Sequence, residues 1–512
     1  NRRFPRKQTL ATIFSAAINR NLPIRKIVEA EYAHLLDDLA DMVACQESYA
    51  RYKREQHLLD YDDLLVELRD LLDRAPELSE RLRRALRYLL VDEYQDTNHL
   101  QADIVARLAG ERGNVMVVGD DAQSIYRFRG ADVRNILTFP ERFPTARIIT
   151  LEENYRSTQP ILDVGNAVIR PARESFTKRL FTRRIGGPLP SLVPAPDERL
   201  QSLFVRQRVL ELREEGISLS DMAVLFRSSF HSFDLELELA RAGVPFVKRG
   251  GFRFIETAHV KDVLAHLRVV ENPRDAVCWH RILRLLEGVG PRAAAAVSDA
   301  VIHGGVTLVE IADRSEGRAL RGAARLALQQ LGALLAELDP ARARPVALVR
   351  KVVDYYRPIL ERLHRDDAPK RLRDLEQFET LADRYRELPD LLADLALEPP
   401  TDAVGDNLAV DLDEGEQLTL STVHSAKGLE WHTVFVISLL EGRFPSAYSL
   451  APEDIEEERR LLYVACTRAR DNLVLVYPTT LHDRGGFVLG QPSRFVAELP
   501  QELLERLNLV EE

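Results

Sequence analysis

The stretch "RYLLVDEYQDTN", Arg87 to Asn98, decides the fold. A short apolar run breaks off at two adjacent carboxylates, Asp92 and Glu93, and passes into a polar segment. Such a run reads as a strand. A strand that delivers an acidic pair at its carboxyl end is how phosphate-hydrolysing motors set a magnesium ligand beside a base. For an acidic pair alone the plainer reading, a cap on the following helix, is the commoner one; the strand context and the polar "YQDTN" weigh against it. Motors of this kind also need a glycine-rich phosphate cradle carrying a lysine, G-x-x-x-x-G-K-[ST]. No Gly-Lys dipeptide occurs in the 512 residues.

Working outward, 512 residues exceed what one core holds, so several domains are expected. The composition, 45% hydrophobic and 29% charged, is that of a globular chain, and no apolar run approaches the roughly 18 residues of a membrane span. Cys45, Cys278 and Cys466 lie far apart without metal-ligand spacing, which fits a reducing, cytoplasmic compartment. A net charge of -10 argues against indiscriminate nucleic-acid binding but leaves room for a local basic track. "TKRLFTRR" (Thr177 to Arg184) is such a cluster, with a solvated charged turn as its equal alternative.

Residues 1 to about 86 read as helical. Strands are expected at 88–92, 114–120 and 146–154, and again at 222–228, 418–424, 433–439 and 472–478, the pattern of buried parallel sheets flanked by helices. The gap from about 273 to 405 is helical and closes on an acidic linker, "TDAVGDNLAVDLDEGEQ".

Further constellations follow the strands. "VVGDDAQSIYRFRGA" places Gln123 within reach of a terminal phosphate, then alternates Tyr126, Phe128 and Arg129, as suits stacking on unpaired bases. "LEENYRSTQ" supplies Tyr155 and Arg156, "LSTVHSAKGLEW" supplies His424, Lys427 and Glu430, and "LLYVACTRAR" ends on Arg468. Each has a bland alternative as a patch, a loop residue or a surface charge. Their order along one chain is what gives them weight.

Together these segments resemble the UvrD/PcrA/Rep-type superfamily-one DNA helicases over nearly the whole chain. The resemblance implies an α/β fold: two RecA-like parallel-sheet motor domains with helical accessory domains, the first motor domain incomplete. It implies ATP and Mg2+ as cofactors, 3′-to-5′ movement on single-stranded DNA, and unwinding at single/double-strand junctions in repair or replication restart, alongside repair or replication proteins. Carried over, Asp92 serves the metal, Glu93 activates water, Gln123 senses the γ-phosphate, and Arg156 and Arg468 stabilise charge. Tyr155 stacks on adenine and Glu430 meets the ribose. Tyr126, Phe128, Arg129, His424 and Lys427 contact DNA, Phe128 standing where many relatives carry tryptophan.

The expected boundaries are 1–57 for the remainder of a first helical accessory domain and 58–152 for the remainder of the first motor domain. The second motor domain takes 153–272 and 406–500 around a helical insertion at 273–405, and a tail covers 501–512. In the insertion, "LEGVGPRAAAAV" resembles the family's glycine turn facing duplex DNA. The absent cradle leaves two readings. The favoured one is an amino-terminally truncated helicase, which fits the lack of a methionine before Met42 and predicts a less stable, aggregation-prone first sheet. The other is a cradle-less DNA-binding or partner-binding module without ATPase activity.

Overall fold

The apolar run at the start of the reading forms β1 (Leu89–Val91), paired in parallel with β2 (Val115–Val117), Leu90 opposite Met116. The computed structural model describes residues 4–110, 113–173, 175–176, 178–249, 257–314, 322–395, 416–483 and 486–509. Its other strands are β3 (Ser191–Ala195), β4 (Met222–Phe226), β5 (Phe246–Arg249), β6 (Leu418–Thr422), β7 (Trp431–Val436) and β8 (Ala469–Pro478). A hairpin of β9 (Thr480–Asp483) and β10 (Gly486–Leu489) follows, then the short β11 (Glu505–Arg506).

The described chain falls into two compact units. One takes Ala195–Thr422 and Pro478–Gly490. In it β6 lies between β4 and β5, parallel to both, with Ala223 and Val247 each opposite Thr419. Every residue of Met222–Phe226 is buried, as an apolar run with few polar interruptions requires. Helices from Ala258–Glu271 to Leu388–Asp394 enclose a separate core in which Val260, Ile282, Leu328, Val349 and Phe378 are wholly buried. The turn expected at 286–297 is here: Gly288 takes φ +77, and Gly290 caps the helix Pro291–Ile302. Of the acidic linker only Glu416 and Gln417 belong to the described residues.

The other unit takes Phe4–Pro194, Val423–Tyr477 and Gln491–Glu512. Its first residues are helical, as expected: Lys7–Asn19, Ile24–Glu31, Leu39–Glu55, Tyr61–Arg74 and Pro76–Ala85. Asp60 opens the fourth of these with a reciprocal capping box to Asp63, and Asn98 does the same with Gln101 for His99–Ala109. β7 and β8 pair in parallel, Val434 opposite Leu473, and β11 extends the start of β3.

Three sequence expectations need correction. Residues 146–154 form no strand; the run has no regular secondary structure beyond one isolated bridge from Glu153 to Phe181. Ile148, Ile149 and Leu151 are exposed because no described strand lies alongside to complete a ladder. The β1–β2 pair is not buried on both faces, since Leu90 and Met116 are 69% and 55% exposed. The opposite error also occurs: β3 and β5 were not expected, β3 because its prolines read as punctuation and β5 because four residues give no period.

Candidate nucleotide and nucleic-acid site

All twelve residues singled out in the sequence fall in the second unit. β1 ends at Val91, and Asp92 and Glu93 emerge exposed beyond it. The Asp92 carboxylate accepts the Glu93 backbone N–H at 2.8 Å. Glu93 itself sits in the left-handed region, φ 50, ψ 40, which turns the chain sharply into the single-turn helix Tyr94–Asp96. Tyr94 anchors that turn, buried edge-on against Phe139.

Gln95 is fully buried and ties the end of β1 to the end of β2. Its Nε2 donates to Glu93 Oε2 at 2.5 Å and its Oε1 accepts the Asp120 N–H at 3.0 Å. The carboxamide needs the space beside Gly119, where a Cβ would lie 2.3 Å from Gln95 Oε1 and 2.8 Å from Ile136 Cδ1. Here glycine is required for close approach.

Asp120 organises the following loop. Its carboxylate accepts from the Ala122 N–H at 3.0 Å, the Gln123 side-chain amide at 2.9 Å and the Tyr463 hydroxyl at 3.4 Å, and it pairs with Lys178. Lys178 also reaches Asp121 at 2.9 Å. Burial pulls the Lys178 pKa down, but the two carboxylates outweigh it and the ammonium ends above its ordinary value. Burial and the Asp120 charge push the Tyr463 phenol well up. The basic cluster of 177–184 is largely taken up in this way, Arg183 meeting Glu153 and Arg184 meeting Asp471; Thr177 lies outside the described residues.

Asn154 aims the arginine segment, accepting the backbone N–H groups of Arg156 and Ser157 at 2.8 Å each. The Arg156 guanidinium pairs with Glu430. Tyr155 stands 80% exposed, its ring free to stack. Arg468 is 2% exposed and its guanidinium rests on neutral acceptors: Val464 O at 3.2 Å, Leu429 O at 3.1 Å and Thr467 Oγ1 at 3.3 Å. Burial, then the charge of Arg156, brings its pKa down to about 10, with Asp120 and Glu430 opposing. Among the described residues no carboxylate bonds the Arg468 guanidinium, which lies beside a second cation, Arg156.

The aromatic cluster forms as expected. Phe128, half exposed, meets His424 edge-on at 5.3 Å, and Tyr126 lies 6.1 Å from Phe128. The Arg129 guanidinium lies over both rings, at 5.2 and 5.5 Å. Lys427 is different: it is nearly buried, pairs with Asp96, and donates to the Gln123 carbonyl at 2.8 Å. Gln95, Asp96, Lys178 and Tyr463 were not singled out in the sequence, and Asp120 was read only as ending a strand with Gly119. Gln95 and Asp96 stand inside the "YQD" already quoted, where only three-dimensional pairing reveals them. Among the described residues no group of three or more His, Cys, Asp or Glu side chains could cage a metal.

Two family profiles match the chain: the UvrD/REP helicase N-terminal domain over residues 1–144 and the UvrD-like helicase C-terminal domain over 149–480. The ATP-dependent DNA helicase PcrA of Bacillus subtilis (strain 168) is 34% identical over 525 aligned residues, covering 99% of this chain and 70% of the relative. The ATP-dependent DNA helicase PcrA of Staphylococcus epidermidis (strain ATCC 12228) is 33% identical over 471 residues, covering 89% of this chain and 64% of the relative. The chain thus spans less than two thirds of the length of that relative.

Proposed function

The chain belongs to the UvrD-like helicase family, and from that premise we propose that it serves ATP-dependent, 3′-to-5′ movement on single-stranded DNA and unwinding at single/double-strand junctions. DNA repair or replication restart, a cytoplasmic setting and repair or replication proteins as partners are part of the same reading. No described helix is long and apolar enough to cross a membrane.

The observation that carries it is the buried Arg468 guanidinium on neutral acceptors beside Arg156. Two cations so placed, with Gln123 held by Asp120 and the exposed carboxylates at the end of β1, suit a phosphoryl group that gains charge as it transfers. Asp92 would hold magnesium, whose chemistry is to draw charge from the phosphate oxygens. Glu93, oriented by Gln95, would accept the proton of the attacking water. Gln123 would meet the terminal phosphate, Arg156 and Arg468 would neutralise it, and Tyr155 would stack on the base. Glu430 would meet the ribose while retaining Arg156. Tyr126, Phe128 and His424 would form the face for unpaired bases while Arg129 meets a backbone phosphate.

The absence of a Gly-Lys dipeptide favours a second reading, a DNA-binding or partner-binding module without hydrolysis. One assay tests the motor: ATP hydrolysis by the purified chain with and without an oligothymidylate, beside Glu93→Gln. Hydrolysis stimulated by the oligomer and lowered at least about 10²-fold by the substitution supports the motor. DNA binding without hydrolysis is the outcome expected both of the module and of a helicase chain lacking its phosphate cradle, and it confines the motor reading to a protein that carries the cradle.

A further inference from the structure

Resting on the single-stranded DNA reading above, we infer that Lys427 is a positioning residue that joins the aromatic face to the carboxylate loop, and does not contact DNA phosphate. Its side chain is 8% exposed. An ammonium has three donors, and two of those of Lys427 are bonded inside the protein. Asp96 takes one, the Gln123 carbonyl a second at 2.8 Å, and Glu93 Oε2 stands 3.6 Å away. The remaining side is covered by the Tyr126 ring, 5.1 Å from Nζ to its centroid. A phosphate would have to displace that ring and break the bond to Asp96.

The connections run both ways from Lys427. On the outer side the Tyr126 hydroxyl donates to the His424 carbonyl at 3.2 Å, so Tyr126 grips the turn that carries Lys427. His424 packs on exposed Phe128, where a base would stack. On the inner side Lys427 holds Asp96, one turn past Glu93, in the loop that Gln95 fixes to β2. A base seated against Phe128 and Tyr126 therefore moves a cation at the edge of the carboxylate loop. At 3.6 Å from Glu93, a shift of well under 1 Å makes or breaks a hydrogen bond.

Two measurements on the full chain test this. The first is the salt dependence of binding to an oligothymidylate. Arg129→Ala should reduce the steepness of log affinity against log salt by about 0.7, the loss of one phosphate contact on a single strand. Lys427→Met should leave the slope unchanged. The second is hydrogen exchange of the amides of 93–97 with and without saturating oligomer. The wild type should show an oligomer-dependent change there, Lys427→Met should lose it at equal saturation, and Lys427→Arg should keep it. Because Lys427→Met strands Asp96, the double variant with Asp96→Asn serves as the folded control and should lose the response likewise. A slope reduced as in Arg129→Ala, or a response that is absent from the wild type or survives both methionine variants, overturns the inference and leaves the DNA reading standing. A wild type that binds no single-stranded DNA at any salt overturns that reading, and the link with it.

Discussion

Gly119 and Gln95 show how much of the site rests on one atom of clearance. A Cβ at 119 would stand 2.3 Å from the Gln95 oxygen and 2.8 Å from Ile136 Cδ1, and Gln95 cannot retreat without releasing Glu93 and Asp120. Gly119→Ala should therefore cost about 1–3 kcal/mol in stability, read by denaturant titration. Any hydrolytic activity should fall further than the stability loss explains, because Glu93 loses its orientation. Residue types at this scale were legible: adjacent carboxylates after a strand, a glutamine after Gly-Asp, aromatics alternating with arginines. Partners were not. Sequence spacing cannot show that Lys427 meets Asp96, 331 positions away, or that Arg468 faces carbonyls and not solvent.

Among elements, helices with a clear period read correctly, and strands succeeded or failed with their neighbours. "MAVLF" and "LTLST" are wholly or nearly wholly buried because a partner lies beside each. The apolar-rich "RIITL" forms no strand, since strand formation needs a second chain segment that local sequence does not specify. The helix Ala258–Glu271 carries a feature invisible in its pattern. His266 is 1% exposed, shares Nδ1 with the Asp262 carbonyl at 2.8 Å, and its Nε2 has no hydrogen-bond partner among the described residues. Burial lowers its pKa to about 4, against the opposing effect of Asp262. The unfolded chain, whose histidine keeps its ordinary value of about 6.5, then binds the extra proton first as pH falls. Stability of the helical part is thus full above about 6.5 and declines toward pH 4, by about 3 kcal/mol for one proton. His266→Phe should flatten that decline in urea melts recorded across the window.

At the scale of the whole molecule, each unit holds buried clusters of its own. Val260, Leu328 and Phe378 pack in one; Ile13, Ile27 and Met42 in a cluster of the other, and Tyr94, Ile136 and Phe139 in a second, smaller cluster there. Calorimetry should resolve more than one transition, since separate cores need not melt together. The transition sensitive to His266→Phe marks the helical core. A single transition shared by every probe would show that the units unfold as one. Net charge, -10, was legible from composition alone and argued mildly against indiscriminate nucleic-acid binding. It could not show that Lys178 of the one conspicuous basic cluster is drawn inward by Asp120 and Asp121, while Arg183 and Arg184 pair with Glu153 and Asp471 at the surface.

The left-handed backbone of Glu93 sets evolution a trade. A non-glycine residue at φ 50 is held there at a cost of about 1–2 kcal/mol, which Asn or Gly at the same position would largely escape. Selection for heat resistance alone would drift toward those residues and discard the carboxylate. A population evolving under thermal stress without need of the activity should lose position 93 early, and gain robustness as it does so.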